Sequence, residues 1–453
     1  MEETKALAKF VGELTYEVLP EIVIERTKEL ILDQLGCQLA GSTLPWTKPA
    51  YEYVAEYKGG REESTVVNYG LRTSAQDAAF ANACFGHASM GDDTDSVCHG
   101  HLGSIILPAA LAMAERERIT GKEFIKAVVA GYEVASRIGA AAPLAEGRGF
   151  HPGPIFGPFG VAAAGGAILG FNESQIWDAL GIAGSHSSGL MEYSKSGGTV
   201  NRLHSSIAAY SGMRAALLAQ RGVKGPATIL EGEKGFLRAF SGECLLDEIT
   251  RGLGESFRVL LIELKAYCCC GTSGTTLDAV SKIKEKDEIR PGQIEEIIVN
   301  ASPSTFRMTG SIVEPKDVTS AQFSGRFGVA LRLVKGGNSF KEYSEENLKD
   351  LDVLDLVKKT RFILDDELGK RPNSHNPAKV MIKVKSGAIY EETVHAAKGT
   401  VLNPMTKEEV YQKFRGFASA VLPNHDTEAI IETVAELERV EHIRELIRLI
   451  VAS

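Results

Sequence analysis

Two stretches are unusually dense in small residues at helical spacing: GVAAAGGAILG at 160–170 and SSIAAYSGMRAALLAQRG at 205–222. Alanine favours the helix, and glycine removes the side chain where a neighbouring backbone must pass closely. A helix that is apolar or small all round has no face to offer water, so both segments read as buried, tightly packed helices. That commits the chain to a helical core. Nearby signals agree. Thr120-Gly-Lys-Glu123 is a capping box before Ile125, Val128, Val129 and Tyr132, which share one helix face. Asn172 followed by Gln175 opens another helix through Ile176, Trp177 and Leu180. Ser104, before IILPAALAMAE, predicts the cap of a further apolar helix.

The pattern changes after about residue 256. IEEIIVNAS at 294–302 predicts a strand, and KVMIKVKSGAIYEETV at 379–394 alternates on both sides of Ser386-Gly387, a hairpin signal. Helical pattern lies between them in SAQFSGRFGVALRLVKGG. From Thr406, with Glu409 as a second capping-box partner, the chain reads as helical again. The expectation is a mostly α protein with an α+β insertion: residues 1–256 and 403–453 as an all-helical domain, and 257–402 as an α+β domain.

At 453 residues the chain is too long for one ordinary core. A net charge of −9, spread along the chain, argues against nucleic acid as a partner, because phosphate binding needs a basic face. No apolar run reaches the roughly 18–20 residues of a membrane span, and the acidic start MEETKALAKF lacks a signal-peptide core. The seven cysteines include the adjacent Cys268, Cys269 and Cys270 and show no framework spacing, which suggests reduced thiols and a cytoplasmic location. The triplet itself reads as packing, since free cysteine behaves as a small hydrophobe.

The densest chemistry lies in GDDTDSVCHGH at 91–101, with Asp92, Asp93, Asp95, Cys98, His99 and His101. Three readings compete. As a metal site it has suitable ligand types, but its spacing fits neither a C-x2-C pair nor an H-E-x-x-H helix. As local structure, Asp92, Asp93 or Thr94 caps a helix and the histidines decorate a loop. As an acid–base site, His101 beside a helix start is the candidate, because imidazole titrates near neutral pH.

Seven segments carry a wider resemblance: DQLGCQLAGS (33–42), AAFANACFGHASMGDDTD (78–95), HLGSIILPAALAMAE (101–115), GRGFHPGPIFGPFGVAAAGGAILG (147–170), NRLHSSIAAYSGMRAALLAQRGVKGPATILEGEKGF (201–236), KAYCCCGTSGTTLDAV (265–280) and SAQFSGRFGVALRLVKG (320–336). In this order they resemble the MmgE/PrpD family across nearly the whole chain. That family includes 2-methylcitrate dehydratase, cis-aconitate decarboxylase and iminodisuccinate epimerase. The resemblance implies a large all-helical domain built from both chain ends, a smaller α+β lid domain, a homodimer, and a cleft for small carboxylic acids. It also implies acid–base catalysis by side chains, with no metal or organic cofactor.

Residue by residue the match is partial. The family's H-A-x-D-x-D-D-T segment is met by His87, Ala88, Asp92, Asp93 and Thr94, but Met90 stands in place of its first aspartate. His101 matches the histidine before the Leu-Pro helix, and His151 the one in G-F-H. Arg202, Leu203 and His204 match K-R-L-H, with Asn201 where the lysine belongs. Cys270 and Gly274 fill the positions of a family histidine, and Phe327 that of a tyrosine seen in some members. Losing a carboxylate and a cation changes what such a site can do.

The expected function is therefore a cofactor-independent acid–base lyase, dehydratase-like, acting on a small di- or tricarboxylic acid. An epimerase or isomerase using the same site is the near alternative, and a non-catalytic acid-binding dimer is the alternative of another class. His101 and His151 are the expected acid–base pair, with Asp93 and Thr94 positioning them. Arg202 is the expected carboxylate clamp, because its planar fork accepts two oxygens, although a structural ion pair would also account for it. Asp92, Lys195 and His204 complete the expected substrate-binding set. Lys195 equally suits a solvated loop position, and His204 a packed, hydrogen-bonded one.

Overall fold

The computed structural model describes residues 2–57, 59–193, 198–287, 289–370 and 373–451. Two compact units divide the chain. Met1–Ala88, Asp92–Ile262 and Lys407–Ser453 form the first, and Ser89–Gly91 with Glu263–Thr406 the second.

The first unit is helical. Its principal elements are α1 (Glu21–Ser42), α2 (Ala75–Ala88), α3 (Gly103–Glu117), α4 (Gly121–Ala140), α5 (Pro152–Ile168), α6 (Glu173–Gly184) and α7 (Asn201–Gln220). α5 carries the first small-residue stretch and is buried along its whole length, packed by α3, α4, α6 and α7. Pro152 opens it at the first helical position, where no amide is needed. Glycine is what lets the neighbours come so near. A Cβ on Gly160 would lie 2.7 Å from the Gly131 carbonyl of α4, and one on Gly212 of α7 would lie 2.6 Å from the Pro158 carbonyl. Ile155, Phe156 and Phe159 are at most 2% exposed, and burial of each such side chain stabilises by roughly 1.5–3 kcal/mol. The helix Lys407–Ala418 packs against α1, so the chain's last part closes the same unit.

Capping boxes form at Thr120 and at Asn172. The Thr120 hydroxyl accepts the Glu123 amide while Glu123 accepts the Thr120 amide, and Asn172 and Gln175 do the same at α6. Ser104 is not a cap. α3 begins one residue earlier, and the Ser104 hydroxyl donates back to the His101 carbonyl at 2.8 Å. The orphan amide of Gly103 goes instead to the Asp93 carboxylate, at 3.0 Å. A side chain from the preceding loop thus supplies what the local serine was expected to supply.

The second unit is α+β. Strands β1 (Ile294–Ala301), β2 (Thr360–Leu364), β3 (Ala378–Val384) and β4 (Ile389–Val394) form one sheet in the order β2-β1-β3-β4. β1 and β2 run parallel; β3 pairs antiparallel with β1 and β4. The expected hairpin turns at Gly387, whose φ of 88° is the left-handed conformation that glycine adopts without cost. Ile297, Val299, Val380 and Ile382 face inward and are fully buried, beneath helices α8 (Gly274–Asp287), α9 (Gly325–Val334) and α10 (Leu351–Lys359). On the other face, Lys383–Glu295 at 2.7 Å and Lys379–Glu391 at 2.9 Å make cross-strand ion pairs. The helical stretch predicted between the strands is broken once, at Ser324, whose hydroxyl caps α9 through the Phe327 amide.

Candidate active site

Four histidines converge in the helical unit. His87 lies in the last turn of α2, His101 precedes α3, His151 immediately precedes α5 without bonding its amides through the ring, and His204 lies in the first turn of α7. The His87 ring centre is 5.2 Å from that of His101 and 6.2 Å from that of His151, and His151 and His204 are 5.2 Å apart. All but His101 are buried, and the His101 side chain keeps 21% of its surface.

The acidic segment divides its labour. Asp92, with no exposed surface, sets Oδ2 against His87 Nδ1 at 2.7 Å and lies 4.0 Å from His101 Nδ1. Asp93 turns the other way. Its Oδ2 accepts the Tyr132 hydroxyl at 2.6 Å, and its carboxylate also takes the Gly103 amide. Its main-chain oxygen accepts from His101 Nδ1 at 2.6 Å, while the Thr94 hydroxyl stands 3.4 Å from the same nitrogen. Asp95 accepts the amides of Val97 and Cys98, forming the turn that carries His99 to the surface. Within this one segment, Asp93 takes a helix amide and Asp92 partners a histidine.

Electrostatics follow from burial. Burial first, and then the adjacent Asp92, lifts the Asp93 carboxyl to about 7, against the opposing pull of Tyr132 and the Gly103 amide. His151 is held well below the usual imidazole range, by burial and then by His87, His101 and His204. Burial, with His87 behind it, brings His204 down to about 4. Both sit at helix N-termini, whose partial positive charge further disfavours an imidazolium. His151 and His204 meet Nδ1 to Nδ1 at 3.0 Å, and the Tyr193 ring packs edge-on against both.

Arg202 is buried, with Nη1 at 2.9 Å from the Ala88 carbonyl and its cationic carbon 5.6 Å from the centre of the Trp46 ring. It therefore closes the C-terminal end of α2, where a cation suits the helix dipole. Asn201, where the family motif has lysine, is buried at the first position of α7. Lys195 lies outside the described residues. Among the described residues, no group of three or more His, Cys, Asp or Glu side chains is arranged to hold a metal ion. Cys98 is buried and its thiol is pushed well above the ordinary value by burial and by Asp95.

In the second unit Met90 adopts a φ of 58°, which non-glycine residues rarely take, and its carbonyl accepts the Lys265 ammonium at 3.2 Å. The Gln322 amide donates to the carbonyls of Ser89 and Cys268. Phe327 is fully buried beside Tyr343, their ring centres 6.3 Å apart.

Residues 5–247 match the MmgE/PrpD N-terminal domain and residues 267–439 the MmgE/PrpD C-terminal domain. The chain belongs to the MmgE/PrpD family. It is 30% identical to a cis-aconitate decarboxylase-like protein of Aspergillus oryzae, covering 99% of this chain and 97% of that protein. It is 29% identical to a cis-aconitate decarboxylase of Aspergillus terreus, covering 99% and 95%. The human cis-aconitate decarboxylase is 25% identical over 97% of this chain and 92% of its own length. Within this MmgE/PrpD chain, sequence reasoning overlooked Tyr132 and Tyr193. In sequence Tyr132 reads only as part of an apolar helix face, and nothing in its spacing signals a carboxylate partner 39 positions away.

Proposed function

We propose that this protein is an acid–base lyase that moves a proton to or from a carbon next to a carboxylate in a small di- or tricarboxylic acid. The observation that carries the reading is the contact between His101 Nδ1 and the Asp93 carbonyl. A carbonyl can only accept, so Nδ1 holds a proton and the neutral ring keeps its lone pair on Nε2. His101 is also the most exposed of the four clustered histidines, as a group that meets substrate must be. His101 Nε2 is then the base toward the substrate carbon, or, once protonated, the acid that returns the proton. His151 serves as the second group, facing the charge that develops on the carboxylate oxygens.

The relatives named as cis-aconitate decarboxylases support a lyase and a small polycarboxylate substrate. In this reading Asp92 holds His87, Asp93 and Thr94 hold His101, and Arg202 lends positive charge while one nitrogen stays on the end of α2. A second reading, an epimerase or isomerase, is favoured by Asn201. With no ammonium at that position, proton transfer alone asks less of the site than departure of hydroxide or carbon dioxide. The catalytic dimer and a cytoplasmic setting are further parts of the proposal. Among the described residues no helix is long and apolar enough to cross a membrane.

The test is incubation in deuterated water with citrate-like, aconitate-like and amino- or imino-dicarboxylic acids, followed by NMR. Deuterium entering beside a carboxylate, and absent with His101→Ala, supports the reading. Loss of water or carbon dioxide separates lyase from epimerase. No exchange with any acid that binds would overturn catalysis in favour of a binding protein.

A further inference from the structure

Two nitrogens of the same kind in hydrogen-bond contact pose a problem of proton count. His151 Nδ1 and His204 Nδ1 stand 3.0 Å apart. If both carried protons they would repel, and if neither did there would be no bond, so one proton lies between them. Whichever ring accepts is neutral at that moment and carries its own proton on Nε2. The pair therefore has two arrangements, and they give His151 opposite chemistry. As donor through Nδ1 it would show a bare, basic Nε2. As acceptor it would show an Nε2–H.

We infer that His204 is a positioning residue which donates from Nδ1 to His151 Nδ1, and so fixes His151 as a neutral imidazole with its proton on Nε2. The inference rests on the reading of His101 and His151 as the two groups that face the substrate. His101 is already fixed as the base by the Asp93 carbonyl. A second base beside it would leave the carboxylate oxygens without a donor as charge gathers on them. A neutral Nε2–H supplies one.

Geometry favours neutrality for both rings. His151 immediately precedes α5 and His204 lies in the first turn of α7, so each residue stands at the positive end of a helix. Among the described residues, the titratable and charged groups near the pair come from several elements. His87 comes from α2, His101 and Asp92 from the loop before α3, Tyr193 from the segment before α7, and Arg202 from α7 itself. Of these only Asp92 favours a cation at His151, while His87 and His101 oppose it. Neutral histidine acting as a hydrogen-bond donor beside a separate base is an established way of stabilising an enediolate, and a helix N-terminus is one means of enforcing it.

The test has two arms. In the first, the whole chain is labelled with 15N-histidine and examined by NMR without substrate, the rings being assigned through single variants. The expected result is a scalar coupling between the two Nδ1 atoms, with His151 protonated on Nε2. A His151 Nε2 that is bare, or no coupling, overturns the inference whatever the protein catalyses.

The second arm uses the exchange reaction. His204→Leu removes the donor, and His204→Gln keeps one in its side-chain amide. For His204→Leu we expect kcat lower by about tenfold or more with KM within about twofold, because a donor used mainly in the transition state is lost. His204→Gln should restore most of kcat. Equal losses in both variants would mean a packing role and would sink the proposal. If the wild-type chain exchanges nothing, the reading of function fails while the NMR arm still decides the tautomer.

Discussion

The imidazole of His101 is turned by the backbone of Asp93: its Nδ1 lies 2.6 Å from that residue's main-chain oxygen, which can only accept. The tautomer of the neutral ring is set by a carbonyl, and a carbonyl does not titrate; in the proposed reaction this leaves Nε2 as the base. Removing the ring should therefore remove the proton-transfer step and little else. His101→Ala is expected to lower kcat by about 10²–10⁴-fold, the usual contribution of a positioned acid or base. Its melting temperature should stay near that of the wild type, since the side chain is partly exposed. Deuterium exchange and a thermal melt on the same preparation check both halves.

Arg202 offers a separate test, because its charge and its shape do different work. Nη1 reaches the Ala88 carbonyl, and the guanidinium plane lies over Trp46. Arg202→Lys keeps the charge but gives up the planar face and the fork. The expected cost is about 1–3 kcal/mol of stability, as for a buried hydrogen bond to a charged group left imperfectly made. Urea denaturation would show it. A variant as stable as the wild type would mean that the arginine is not holding the end of α2.

How much of this was legible in the sequence differs between elements. The capping boxes at Thr120 and Asn172 were readable, because two residues three positions apart decide them and no distant residue has a say. The cap of α3 was not. Ser104 has the right chemistry in the right place, yet Asp93 arrives from ten residues upstream and takes the amide. The same limit applies to the site. His101 and His151 could be picked out by matching segments, but the contact between His151 and His204 joins residues 53 apart and exists only once α5 and α7 are packed. Tyr132 gave no sign at all, since a tyrosine on an apolar helix face looks like core until its hydroxyl is seen on Asp93.

The small residues of α5 and α7 predict a sharp response to enlargement. A Cβ on Gly212 would fall 2.5 Å from Val161 Cβ and 2.6 Å from the Pro158 carbonyl, and neither can swing away as the tip of a long side chain could. α7 would have to lift from α5. Gly212→Ala should therefore destabilise by roughly 1–3 kcal/mol, although alanine is the better helix former on an exposed surface. Gly416→Ala, on the helix Lys407–Ala418, has open space around it and is the matched control. It should be neutral or slightly stabilising, and a denaturation midpoint that falls equally in both would refute close packing as the cause.

Asp93 gives the last prediction, and its sign can be worked out in full. In the folded chain its carboxyl titrates near 7, whereas an unfolded aspartate titrates near 3.9, so between those values the folded state binds more protons than the unfolded one. Stability then falls as pH rises through this window, and the loss is complete above the folded value. The histidine pair works in the opposite direction. His151 and His204 are depressed on folding, so the unfolded chain takes up protons below about 6.5 that the folded chain refuses, and stability is lost as pH falls. Between about pH 4 and 6.5 the two effects oppose each other and flatten the wild-type profile. Asp93→Asn keeps an oxygen for the Gly103 amide and an amide for the Tyr132 hydroxyl while abolishing the titration. Its stability should rise with pH across that window more steeply than the wild type's, because the histidine effect is no longer masked. Parallel urea titrations at half-unit steps of pH would measure the difference, and identical slopes would show that the Asp93 carboxyl is already ionised in the folded protein.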